Sequence, residues 1–298
     1  MNLVHRLTPF LRRFAQGLEH VGRRNEDLAI AAVLPAVIER LHDPVAFVAF
    51  LRGCWQATTC RVVPGQTGPV SARFRTLLSV LSSSVPPLDA RTAVEIGLAA
   101  DGFRARRDEK TWGPFSTDVA LDFAGSSSFG GKGRILSAAV RFMRSEAGLE
   151  IGTAYGMSAL FIAAAQSSLG SKVSLVTIEC SEPQHSLAKA MLARRFPTVV
   201  CEKGLSHETL PRLHHRGDID FVFHDGGHSR AHYVNDFALL KGLLRPGAIV
   251  LFDDIRWKDR QRPGEDPGTY EGWREVVADP SVAYAVEIDG GLGLLLMK

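Results

Sequence analysis

From residue 135 to the C-terminus the chain alternates between two hydrophobic textures. Short apolar runs rich in β-branched residues at 149–152, 173–179, 198–202, 219–224 and 248–252 predict five buried strands. Stretches with helical spacing of apolar positions predict helices at 159–166, 183–195, 208–214 and 230–244. Two more are predicted at 135–145, before the first strand, and at 270–277, after the last. Residues 283–288 and 293–297 flank Gly290-Gly291 and predict a closing hairpin. Alternating strands and helices build a mainly parallel sheet between two helix layers, and the hairpin makes the last strand antiparallel.

Upstream the texture changes. Residues 1–110 predict a mainly helical extension, with helices at 26–41 (Asn25 as cap, Pro35 as kink), 44–54 and 71–81, and loops at 62–68 and 82–87. Val94-Glu95-Ile96-Gly97 has the form of a strand entering a glycine turn. The charge-dense residues 101–110 follow it instead of an apolar strand ending in an acid, so it is a decoy. Residues 111–134, rich in Gly and Ser, form a linker or a lid between the extension and a domain at 135–298. Leu3, Leu7, Phe10, Leu11, Phe14 and Leu18 fall at helical spacing among five arginines in residues 1–24. That start resembles a transit segment in composition, but an amphipathic helix docked on the rest of the protein or on a second copy accounts for it more simply.

Composition narrows the class. The chain's 298 residues, 45% of them hydrophobic, suffice for a large core, and no apolar run is long enough to cross a membrane. A net charge of +3 is too small to argue for nucleic acid. Cys54, Cys60, Cys180 and Cys201 have no zinc-like spacing; Cys180 and Cys201 are expected to be reduced packing residues. The expectation is a cytoplasmic protein with neither membrane nor nucleic-acid partners.

The candidate chemistry begins at Leu149-Glu150-Ile151-Gly152-Thr153-Ala154-Tyr155-Gly156-Met157-Ser158, where an apolar strand runs into two glycines four apart and then a helix. Glycines let a backbone approach a ligand closely, and they also allow tight strand–helix packing without one. The next strand ends in an acid, Glu179, placed to accept from a ribose diol. The Gly-x-Gly-x-x-Gly spacing of dinucleotide folds is absent. Glu-x-Gly-x-x-x-Gly with a later acid resembles the class I S-adenosylmethionine (SAM) methyltransferases. The resemblance implies a Rossmann-like, seven-stranded α/β sheet with an antiparallel last strand. It also implies a cofactor held by Glu150, Gly152, Thr153, Tyr155, Gly156 and Ser158 around the glycine turn and by Glu179 at the ribose. Ser206, His207 and Asp225 complete that set; Leu205 stands where the family often has an acid, and Ser206-His207 resembles the Ser-Gln pair of catechol-type enzymes.

Three carboxylates fall at neighbouring strand ends: Asp225, in His224-Asp225-Gly226-Gly227-His228, and the pair Asp253-Asp254, preceded by Pro246-Gly247. Clustered like charges call for a cation, and oxygen donors suit Mg²⁺. The pattern resembles metal-dependent O-methyltransferases of the catechol and caffeoyl-CoA type, and more closely the macrolide-sugar and cephalosporin methyltransferase-like enzymes. That resemblance implies Asp225, Asp253 and Asp254 as metal ligands, His228 as base and a small hydroxylated acceptor. It also implies that the N-terminal helices either form a homo-oligomer or cover the acceptor site. In catechol-type enzymes the second acid of the pair is Asn and the base is Lys. Structural alternatives stand beside each role: Asp225 capping local amides, His228 capping the next helix, Ser206 capping residues 208–214, and Asp253-Asp254 as a solvated pair. His224 is expected to be structural, Asp236 a surface or capping acid, and His214-His215 a surface helix end. Trp112, Trp257, Tyr270 and Trp273 are candidates either for an acceptor pocket or for the core. Two other classes remain open: a metal-independent methyltransferase acting on nitrogen or RNA, and a non-catalytic interaction protein of the same fold.

Overall fold

The computed structural model describes residues 34–41, 47, 59–65, 68–85, 88, 90–100, 131–170, 172–214, 217–256, 268–288 and 291–298. After the short strand β1 (Val62–Pro64) come helices α1 (Ala72–Ser83), α2 (Ala90–Ala100) and α3 (Gly133–Met143). The alternating part follows as β2 (Gly148–Ile151), α4 (Met157–Ser168), β3 (Leu175–Glu179), α5 (Glu182–Arg195) and β4 (Val200–Lys203). It continues through α6 (Ser206–Thr209) with a 3-10 turn at Leu210–Arg212, β5 (Ile219–His224), α7 (Arg230–Leu240) and β6 (Leu244–Phe252). Helix α8 (Thr269–Val277) and the hairpin β7 (Val282–Ile288) and β8 (Leu292–Met297) close the chain.

These elements form one eight-stranded sheet of order β1-β7-β8-β6-β5-β2-β3-β4. Strands β2 to β6 run parallel, and β8 enters antiparallel between β6 and β7. The α/β class, the parallel sheet and the reversed last strand agree with the sequence. The strand count does not. Val62–Pro64, expected as a loop, pairs antiparallel with β7 (Val62 opposite Ile288) and makes an eighth strand at the sheet edge. A proline is tolerated there because an edge strand has one unpaired side.

The residues of the central strands divide between two cores, as pleating requires. Phe221, Phe223, Ile249 and Leu251 face one core. Leu149, Ile151, Val222, Val250 and Phe252 face the other, with Tyr233, Phe237 and Leu240 of α7 and Trp273 of α8. The first core also takes in Leu34, Ile38, Phe47, Phe74, Leu77 and Ile96, so the described part of the extension shares a core with the sheet. Residues 34–38 are helical, Ser71 caps α1 by accepting from Phe74 N–H, and α2 confirms that Val94-Glu95-Ile96-Gly97 is no glycine turn. The expectations for residues 1–33 and most of 42–58 and 101–130 lie outside the described residues. Among the described residues no helix is long and apolar enough to cross a membrane.

Chain order reverses between β2 and β5. From β2 the sheet grows through β3 and β4 on one side, and through β5 and β6 on the other. Ligands of open α/β sheets bind in the crevice outside the carboxyl ends of the strands at such a switch point, so the tips of β2 and β5 locate the site.

Candidate active site

Strand β2 turns into α4 through Gly152 and Gly156, with φ of 91° and 83°, and Ala154 between them has φ 45°. The two strand tips touch backbone to backbone. Asp225 N–H donates to Ile151 O at 2.8 Å, and a Cβ on Gly152 would stand 2.1 Å from Asp225 O. A Cβ on Gly156 would crowd Met191 and Ala188 of α5. Packing is therefore a sufficient cause for both glycines, whatever binds beside them. Gly152→Ala is expected to cost about 1–3 kcal/mol in backbone strain alone, with the collision against Asp225 added. A lower urea midpoint at unchanged slope checks this.

Around the turn sits a dense polar set. Glu150 is fully buried; Thr177 Oγ1 donates to its Oε2 at 2.5 Å and Ser158 hydrogen-bonds to it. Its Oε1 has no partner among the described residues. Burial, despite those two hydrogen bonds, pushes its pKa up to about 7, and the charges of Asp225 and Glu179 add to the rise. A carboxylate in that state favours a cationic ligand group. The Thr153 and Thr177 hydroxyls hydrogen-bond to each other. Glu179, at the tip of β3, accepts Ala154 N–H and Ser181 N–H, each at 2.8 Å. It thus braces the turn while its oxygens keep lone pairs for further donors. Ser158 is buried beside Glu150, and Tyr155 packs into the core.

The loop after β4 is held from below. Ser206 Oγ donates to Asp236 Oδ1 at 2.7 Å, and His224 Nε2 lies 2.9 Å from Asp236 Oδ2. Ser206 is therefore not a helix cap. Asp236, expected to be a surface or capping acid, is 1% exposed and joins three elements. His224 is fully buried, stacks on Phe252 with centroids 5.0 Å apart and meets Tyr233 edge-on, the structural role expected of it. Asp236→Ala leaves Ser206 and His224 without their buried acceptor and should cost about 1–3 kcal/mol for each stranded group, read as a large drop in thermal midpoint. His207 is exposed, as are His214 and Cys180, so packing does not account for that thiol.

The acids meet above this layer. Nε2 of His228 lies 3.4 Å from Asp225 Oδ1 and 3.7 Å from Asp254 Oδ2. Helix α7 is capped by Ser229, which accepts His232 N–H at 3.2 Å, so capping is not the role of His228. Burial disfavours the imidazolium, but the hydrogen bond and charge of Asp225, with Asp254 and Asp253 behind it, outweigh that and raise the His228 pKa. Asp253 is 1% exposed and rigidly held: Tyr233 O–H donates to its carbonyl, its N–H donates to His224 O at 2.9 Å, and its Oδ1 accepts Asp254 N–H at 2.8 Å. Asp254 has φ 52°.

Sequence reasoning missed Lys132, just ahead of α3, whose Nζ contacts Asp253 Oδ2 and lies 3.4 Å from Asp254 Oδ1. The Asp253 carboxyl is raised by burial and by Asp225 and Asp254, against the pull of Lys132. The donor chemistry of Asp225, Asp253 and Asp254 fits a hard divalent ion. Among the described residues no three such side chains already converge in ligating geometry, and Lys132 supplies the positive charge that the cluster calls for. Trp273 is core, with Nε1 donating to Glu287 Oε1 at 3.1 Å, and Tyr270 lies under the Arg256 guanidinium, 4.4 Å from the ring centre. Trp112 and Trp257 lie outside the described residues.

The sheet order, the left-handed glycine turn after the first parallel strand and the acid at the tip of the second place a polar crevice at the switch point of a Rossmann-like α/β sheet. Residues 149–255, about a third of the chain, match the model of a methyltransferase domain family. The chain is 36% identical over 132 residues to the protein named "Probable O-methyltransferase Rv1703c" of Mycobacterium tuberculosis, covering 42% of this chain and 56% of that protein. The chain thus spans about half the length of this curated relative. Among solved structures, the O-methyltransferase from Bacillus cereus in complex with SAH (S-adenosylhomocysteine) superposes at TM-score 0.47 with 22% identity, over 56% of this chain and 80% of that one. The O-methyltransferase TomG from Streptomyces achromogenes, involved in tomaymycin synthesis and in complex with SAM, does so at 0.47 with 26% identity, over 59% and 82%.

Proposed function

We propose that this protein is a SAM-dependent O-methyltransferase acting on a small hydroxylated molecule, with His228 as the proton acceptor. One observation carries this: the Asp225–His228 loop is built directly against the glycine turn, through the contact of Gly152 with Asp225 O. A methyl donor bound at the turn and a proton acceptor on the loop therefore share one crevice.

The bound cofactor supplies a methyl group on a positively charged sulfur that leaves with the carbon–sulfur electron pair. Glu150 offers its unpartnered oxygen to the cofactor's cationic part, and Glu179 its lone pairs to the ribose. His228 takes the proton of the acceptor hydroxyl, leaving the oxygen electron pair to attack; Asp225 and Asp254 favour the resulting imidazolium. Holding oxygen and methyl in line supplies much of the rate. Asp225, Asp253 and Asp254 would hold Mg²⁺, whose contribution would be positive charge beside the acceptor oxygens.

The test is transfer of labelled methyl from SAM to panels of vicinal diols, single alcohols, amines and RNA. The expected product is an O-methyl ether from a diol. Labelling of amines or RNA alone would favour the metal-independent alternative and remove His228 from the role of hydroxyl base.

A further inference from the structure

Lys132 reaches the acidic cluster from just ahead of α3. Its side chain is 13% exposed, and its ammonium sits against two consecutive carboxylates, Asp253 Oδ2 and Asp254 Oδ1. Asp253 has no latitude to turn away. Its backbone is pinned on both sides by Tyr233 O–H and His224 O, and its Oδ1 is committed to Asp254 N–H. The remaining oxygen, Oδ2, is the one Lys132 holds. Any cation entering between Asp253 and Asp254 must compete for that oxygen, because an ammonium and a second cation at contact distance repel strongly in a crevice this sheltered. The lysine is the partner that can yield. It stands before the first turn of α3, next to Gly131, and carries its charge on a flexible four-carbon stem.

We propose that Lys132 and a divalent ion are alternative occupants of the Asp253–Asp254 pair, the lysine ammonium balancing its charge until an ion displaces it. This rests on the metal part of the proposed function. It makes divalent-ion affinity a property set by a residue outside the ligand set.

Mg²⁺ titrated calorimetrically into the full chain tests this, with wild type, Lys132→Met and Lys132→Arg compared. Lys132→Met, which keeps the length of the stem and removes the charge, should bind Mg²⁺ about tenfold or more tighter than wild type; Lys132→Arg should bind no tighter. Equal affinity in wild type and Lys132→Met overturns the competition while leaving the ion site standing. Absence of Mg²⁺ binding in all three overturns it together with the metal part of the function. S-adenosylhomocysteine affinity on the same samples reports the cofactor assignment separately. Thermal melting in chelator shows that each variant is folded. There Lys132→Met should melt below Lys132→Arg, because the acid pair is left uncompensated. Should Lys132→Met not fold, Lys132→Gln takes its place with the same expectations.

Discussion

His228→Ala is expected to lower kcat by about 10²–10⁴-fold, the usual contribution of a positioned base, while S-adenosylhomocysteine affinity stays within about twofold of wild type. The two effects separate because His228 lies against the acids that follow β5 and β6, whereas the glycine turn is braced by Glu179. The pH profile carries the same assignment. His228 must be neutral to accept a proton, so activity should rise with pH through its folded-state pKa. That pKa lies above the ordinary value of about 6.5 because Asp225 and the acid pair outweigh burial. Asp225→Asn removes the largest raising influence and should move the acid limb to lower pH. An acid limb that stays in place in Asp225→Asn would assign the titration to another group.

Glu179→Ala is the second large effect, and it falls on binding. Its carboxylate, at the tip of β3, accepts Ala154 N–H of the glycine turn and Ser181 N–H just ahead of α5. Hydrogen bonds to a charged group contribute about 1.5–3 kcal/mol each. Losing two to the ribose should weaken S-adenosylhomocysteine binding by about a hundredfold or more. Glu179→Gln keeps the shape and one acceptor and should lie between. Competition binding with a fluorescent cofactor analogue separates the three proteins. Equal affinity in all of them would show that Glu179 only braces the turn.

Much of this was legible in the sequence because it is local. Residues 219–224 are a strand with the bounds their apolar run predicts, and the others from 149 onward differ by a few residues at their ends. Parallel strands buried on both faces are continuous apolar runs, which periodicity detects directly. The edge strand Val62–Pro64 was hidden because three residues ending in proline carry no strand signal, and its partner lies far along the chain.

Asp236 was missed although a signal existed. It falls on the same helical stripe as Tyr233, Phe237 and Leu240, the face α7 buries, and an acid on such a stripe needs a buried partner. Lys132 had no comparable signal. Its neighbours are glycines and its partners come from the other end of the domain, so only the fold brings them together. The glycine turn shows the converse: the sequence marks the close approach at Gly152 but not what approaches, and the structure supplies the Asp225 carbonyl.

The most direct measurement is S-adenosylhomocysteine titrated into wild type and His228→Ala side by side. The arrangement of a cofactor turn abutting a separate proton acceptor predicts saturable one-to-one binding of nearly equal affinity in both. No binding to wild type would contradict the methyltransferase assignment, and binding lost only in His228→Ala would place His228 in the cofactor site instead of beside the acceptor.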